Sequence, residues 1–332
     1  MLETSNRVSE CGTPLAPSIT MDSVRWESRV NPWRELAASR CGATSASAAE
    51  RDRAIAETTR VACHRRALEC LTSLEIPFLV GGGYALRHYA GAVRGTRDLD
   101  IFVRRSDARA LLSELARAGF ATDLTFPHWL GKVEVDGDQV DIIYSSGNGV
   151  AEVDDQWFAH SIVATVLGVP VRLCPPEEMI WSKAFVMERE RYDGADIAHL
   201  IQACQWRLDW DRLVARFGPH WRVLLSHLTL FGFIYPGERT AIPRDVMIQF
   251  CRRLERDVTW PLANEHVCQG TLLSREQYLT DVCRWGLADG RVAPHGPLTP
   301  EEVAHWTAAI PGPREDGSAD PAGNDRASGR RR

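Results

Sequence analysis

The spacing of apolar positions changes about midway along the chain. Between residues 50 and 174, helical spacing and two-residue alternation take turns, whereas from about 175 to 309 helical spacing dominates. In the first stretch, AERDRAIAETTRVACHRRALECLTSL reads as a helix, PFLV as a short strand, and a further helix begins near Gly83. LDIFV (99–103) is a strand, and SDARALLSELARAG (106–119) is a helix with Ser106 as N-cap and Gly119 at its end. GKVEVDGDQVDIIY (131–144) predicts a hairpin with Asp136-Gly137 at the turn, and SIVATVLGVPVRLC (161–174) predicts a second. The two ends, 1–48 and 311–332, are rich in small and polar residues with little periodicity, so both are expected to be disordered. The expected layout is an α+β domain over 49–174, a small mixed sheet flanked by helices, followed by an α-helical domain over 175–310.

The strand at 99–103 departs from a simple apolar reading because Asp98 and Asp100 stand two residues apart. Positions i and i+2 of a strand share a face, so the carboxylates point together while Leu99 and Ile101 point the other way. Paired carboxylates repel, and such a pair persists where a hard cation such as Mg²⁺ sits between them. A bare Asp-x-Asp is a common tripeptide and is more often a solvated strand end. The residues before it change the balance: LVGGGYAL is strand, glycine turn, helix, a geometry that aims backbone N–H groups at an anion. Asp141, on the second strand of the first hairpin, supplies a third carboxylate, expected on an adjacent antiparallel strand, with a phosphate-sized space between the glycine turn and the aspartates. Together these predict a triphosphate site beside a metal site.

Composition narrows the class. The chain has 332 residues, 44% of them hydrophobic, enough for one large core or two modest ones. A net charge of −5 gives no electrostatic case for duplex nucleic acid as an obligatory partner. No apolar run approaches the roughly 18 residues of a membrane span, and the N-terminus lacks a basic segment followed by an apolar one. Nine cysteines are dispersed without a Cys-x-x-Cys pair, which reads as reduced thiols in a cytoplasmic protein and argues against zinc. There is no nucleophile elbow, P-loop lysine motif or His-Glu-x-x-His.

GGYALRHYAGAVRGTRDLD resembles the signature of the polymerase-beta-like nucleotidyltransferase superfamily: a glycine turn, a helix, then Asp-x-Asp. Its GGYA and R-x-T-x-D-x-D elements (Arg94, Thr96, Asp98, Asp100) resemble a bacterial branch that includes abortive-infection type II toxin-like proteins. The resemblance implies a nucleotidyltransferase fold and transfer of a nucleoside monophosphate from an NTP to an acceptor, with two Mg²⁺ ions. By position, it implies that Gly82 and Gly83 hold the triphosphate, with Arg94 and Thr96 also on the nucleotide. It implies too that Asp98 and Asp100 bind both metals, and that Asp141 binds the catalytic metal and helps activate the acceptor hydroxyl. Gly83 stands where many members carry serine, and the glycine-to-aspartate spacing is slightly longer than in close relatives.

In the second half, EEMIWSKAFVMERERYDGADIAHL (177–200) places Lys183 on a helix ahead of Arg189, Arg191, Asp193 and Asp196. Lys183 is expected either to reach an NTP phosphate or to pair with Asp196. Asp193 is expected to N-cap the next helix, and Ser274 with Gln277 to form a capping box. His128, His160, His199, His220 and His227 show no metal-ligand spacing. The leading expectation is an active Mg²⁺-dependent nucleotidyltransferase. RNA (tRNA), a protein or a small molecule is left open as acceptor, and an antitoxin as partner if the role is toxin-like. The alternative is an inactive nucleotide-binding or interaction module on the same fold.

Overall fold

The computed structural model describes residues 48–91, 96–259 and 266–310. The expected disordered ends therefore lie outside the described residues, apart from Ala48, and so does Arg94. The described residues from Ile55 onward belong to one compact unit, which holds the site.

The long first helix α1 (Ala48–Ser73) leads into β1 (Leu79–Val80), the glycine turn and α2 (Gly82–Ala90). Next come β2 (Leu99–Phe102), α3 (Arg105–Arg117) and a three-stranded meander, β3 (Ala121–Phe126), β4 (Leu130–Val135) and β5 (Asp138–Ile143). A short α4 (Asp155–Ala159) precedes the hairpin β6 (Ile162–Val166) and β7 (Val169–Leu173). These make one seven-stranded mixed sheet in the order β3-β4-β5-β2-β1-β7-β6. The expected α+β class, a mixed sheet flanked by helices with a helical C-terminal part, is what the molecule shows.

Both predicted hairpins form where the turn residues place them. Asp136 and Gly137 have φ of 50° and 88°, and Leu167 and Gly168 have φ of 52° and 83°, the two-residue turn that suits strand twist. Two elements were not legible in the chain: β3, whose ATDLTF alternates weakly, and the five-residue α4. Two caps differ from expectation. Helix α3 starts two residues early at Arg105, so Ser106 lies inside it and its hydroxyl goes to Asp107. Around Ser274 the chain makes turns and then a short helix (Leu279–Cys283); the Ser274 hydroxyl accepts from Gln277 N at 3.1 Å, half of the expected box, but the Gln277 side chain reaches Met187 O rather than back to Ser274. The capping box sits instead at Thr299 and Glu302.

Beyond β7 the helices α5 (Pro176–Ala184), α6 (Gly194–Cys204), α7 (Trp210–Phe217) and α8 (Trp221–Ile234) pack on one another, and α6 also packs on α2. The last described helix (Pro300–Ala308) returns to β3, where Phe126 meets His305 and Glu302 pairs with Arg105. No helix among the described residues is long and apolar enough to cross a membrane.

Candidate active site

Strands β2 and β5 carry the carboxylates. They run parallel, not antiparallel as the hairpin alone suggested, and in register, with Asp100 opposite Asp141. The reason is topological: α3 returns the chain and an odd, three-stranded meander follows, so its last strand points the way β2 does. Leu99 and Ile101 are fully buried on the opposite face, as the alternation requires. Asp98 stands just before β2 and is exposed, while Asp100 and Asp141 are partly buried.

The glycine turn lies directly against this pair. Gly82 has φ of 51°, and a Cβ there would fall 1.6 Å from Asp100 Oδ2. Only glycine permits that conformation and that approach. A Cβ on Gly83 would come within 2.6 Å of the Thr96 side chain, which explains glycine where serine stands elsewhere. Thr96 in turn donates its hydroxyl to Asp98 O at 2.8 Å. Gly82, Gly83, Thr96 and Asp100 are thus one contact group. The phosphate-sized gap expected between turn and aspartates is absent between Gly82 and Asp100, because the carboxylate packs onto the glycine itself. Behind the turn, Tyr84 Oη hydrogen-bonds His64 Nδ1 at 2.8 Å and anchors α2 to α1.

Electrostatics mark the same spot. Burial, then the neighbouring Asp141 carboxylate, push Asp100 from its ordinary range up to about 6 against the opposing fields of Lys183 and Arg191. Burial also raises Asp141, partly offset by Lys132, whose Nζ lies 3.7 Å from Asp141 Oδ1. That buried Oδ1 has no hydrogen-bond partner. Lys132 went unremarked in the sequence, yet counting back from the Asp136-Gly137 turn pairs it with Asp141, as observed.

Lys183 does not stand free. It ends α5 and donates to Asp193 Oδ2 at 2.9 Å and Asp196 Oδ2 at 2.8 Å, both carboxylates nearly buried. Asp193 holds the N-cap position of α6 but makes no side-chain cap, because its carboxylate is taken by Lys183 and Arg191. Burial works against ionisation of Asp193, but these two cations outweigh it and hold the carboxyl below its usual range.

The donor chemistry suits a hard divalent cation: a registered carboxylate pair, one member raised by burial and then by its neighbour's charge, and an orphaned buried oxygen on the other. The geometry is less complete. Among the described residues no group of three or more His, Cys, Asp or Glu side chains converges into a metal-holding cluster, so the aspartates are neighbours rather than a formed ligand shell.

Residues 65–162, which span the glycine turn and all three aspartates, match the family model for aminoglycoside-2''-adenylyltransferase. No curated protein matches the chain significantly. Among solved structures, the antibiotic-resistance factor ANT(2'')-Ia in solution is 20% identical, covering 52% of this chain and 97% of its own, with a TM-score of 0.38. The lincosamide adenylyltransferase LnuA with lincomycin is 13% identical, covering 41% and 92%, TM-score 0.31. JHP933 from Helicobacter pylori is 16% identical, covering 61% and 95%, TM-score 0.33. These structural likenesses are too distant to carry an argument. The family match, falling on the segment that builds the carboxylate site, supports a place for this chain within the nucleotidyltransferase superfamily.

Proposed function

We propose that this protein is a Mg²⁺-dependent nucleotidyltransferase that moves a nucleoside monophosphate from an NTP to a hydroxyl of a small molecule. The observation that carries the reading is the registered pair Asp100–Asp141 on parallel neighbouring strands, packed against a turn that only glycine can make. Two Mg²⁺ ions, when bound, would neutralise the triphosphate and the departing pyrophosphate. Asp98, Asp100 and Asp141 are the side chains that would hold them. Gly82 and Gly83 present backbone at the start of α2, where an anion is favoured, and Thr96 shapes that turn. Asp141, raised by burial, is suited to take the proton of the acceptor hydroxyl as its oxygen attacks the α-phosphorus and the bond to the β-phosphate breaks. Arg94 is proposed on the nucleotide from its place in the motif. The family match favours a small hydroxylated acceptor over the RNA, protein or toxin-like roles that the sequence left open.

A second reading, an inactive nucleotide-binding module, is favoured by the carboxylates not converging into a ligand cluster. One experiment separates them: incubation with each α-labelled NTP, Mg²⁺ and small polyhydroxylated amines, RNA or protein extract, following the label. Transfer to a small molecule supports the proposal and transfer to RNA or protein replaces its acceptor. Nucleotide binding without transfer to any acceptor establishes the module.

A further inference from the structure

Resting on the nucleotidyltransferase reading, we propose that Arg191, rather than Lys183, is the side chain of the helical half that grips the phosphates of the incoming nucleotide. An NTP brings several negative charges to a site that already holds Asp98, Asp100 and Asp141, so a protein cation must face it in addition to any metal. Two cations of the helical half lie near enough to act on Asp100, Lys183 and Arg191. On Asp141, Arg191 acts beside Lys132. The charge of Arg191 is thus felt at both carboxylates, while its hydrogen bonds go to Asp193.

The hydrogen bonds decide between the two. The ammonium of Lys183 is 16% exposed and spends two of its three donors on Asp193 and Asp196, which are 3% and 7% exposed. Releasing it would strand two buried carboxylates, at high cost. Arg191 has the opposite character: its side chain is 68% exposed and uses only one edge of its fork. Nε donates to Asp193 Oδ1 at 3.2 Å and Nη2 to Asp193 Oδ2 at 3.1 Å. Asp193, anchored from behind by Lys183, therefore holds the guanidinium in place through Nε and Nη2 and leaves Nη1 outside that pair. A planar fork fixed at one edge and open at the other matches a phosphate in a way a point charge does not. The backbone braces the same loop: Glu188 N donates to Arg191 O at 2.8 Å and Asp193 N to Val186 O at 3.2 Å. Lys183 and Asp196 support the grip without touching the nucleotide.

The test compares wild type, Arg191→Gln and Arg191→Lys in full-length protein. The measurements are the binding of Mg²⁺-NTP and of the corresponding nucleoside, by thermal shift and titration, and the KM and kcat of whatever transfer the wild type performs. Arg191→Gln is expected to weaken NTP binding ten-fold or more, leave nucleoside binding within two-fold, flatten the salt dependence of NTP binding and leave the ligand-free melting temperature nearly unchanged. Arg191→Lys is expected to recover part of the loss. Equal weakening of NTP and nucleoside, or no weakening of either, overturns the assignment while leaving the enzyme reading intact. A wild type that binds no NTP overturns both.

Discussion

At Gly82 the backbone conformation and the space are both spoken for. Gly82→Ala would place a Cβ on the Asp100 carboxylate at a φ of 51°, so it should destabilise the fold by about 1–3 kcal/mol and abolish nucleotidyl transfer. Chemical denaturation and the label assay read the two effects. Gly83→Ser should likewise be destabilising, through the Thr96 side chain 2.6 Å from the new Cβ, and Thr96→Gly should relieve it. That pair is a direct test of the contact, because an independent cost at either site would add rather than cancel. Asp100 gives a prediction of the opposite sign. Its folded-state pKa, raised from 3.8 to about 6, means the ionised carboxylate opposes folding, with no effect below about pH 4 and the full effect above pH 6. Asp100→Asn should therefore raise metal-free stability at pH 8 by at most about 3 kcal/mol, seen as a higher melting temperature, and leave it unchanged near pH 4. The same substitution should lower transfer by orders of magnitude. A mutant that melts earlier than wild type at pH 8 would make Asp100 a structural residue.

Between elements, buried charge fastens the helical half to the sheet. Lys183 joins α5 to the start of α6, and Arg212 and Arg216 of α7 meet Glu178, which is fully buried on α5. Arg216 also makes a two-pronged bond to Asp154, at the foot of α4 in the sheet half. Replacing one partner of such a cluster leaves the others uncompensated. Lys183→Met should thus cost about 3–5 kcal/mol, while the isolated surface change Arg65→Ala should cost well under 1 kcal/mol. Asp154 and Asp193 are both held below the usual carboxylate range, burial being outweighed by Arg216 in the first and by Lys183 and Arg191 in the second. For a depressed carboxyl the stabilisation is present above its ordinary pKa and lost as pH falls through the lower, folded value. Acid melts should show stability falling below about pH 4, an effect that Asp193→Asn lessens but, with Asp154 still in place, does not abolish.

On the scale of the whole molecule, the last described helix packs against the Phe126 end of the edge strand β3. Phe126 stacks on Trp129 at 5.8 Å and meets His305 at 5.6 Å, while Trp306 reaches His128 at 6.0 Å. Covering an edge strand prevents its free backbone from pairing with another chain. Truncation before Thr299 should lower the melting temperature and promote aggregation, as light scattering during a melt would show. If the site binds Mg²⁺-NTP, the intact protein should also gain melting temperature with ligand concentration, as mass action requires, and Asp100→Asn should gain much less.

What the sequence determined by itself was local. The Asp-Gly turn at 136–137 set the register that brings Lys132 opposite Asp141, and the alternation around Asp98 and Asp100 set which side of β2 is polar. Both follow from period-two geometry and turn chemistry, which act over a few residues. The motif around the glycine turn was likewise legible, because conformational demand at Gly82 and charge spacing at Asp98 and Asp100 are written in adjacent positions. Strand direction was not: that β5 lies parallel to β2 depends on how many reversals intervene, including β3, whose weak alternation hid it. Nor was the fate of Asp193, whose capping tendency lost to two cations brought from α5 and the preceding loop. A cap contributes about 1 kcal/mol, whereas an unpaired buried carboxylate costs several, so the long-range partners prevail. Only the packed chain decides which buried charge meets which, because that choice is made between elements far apart in sequence.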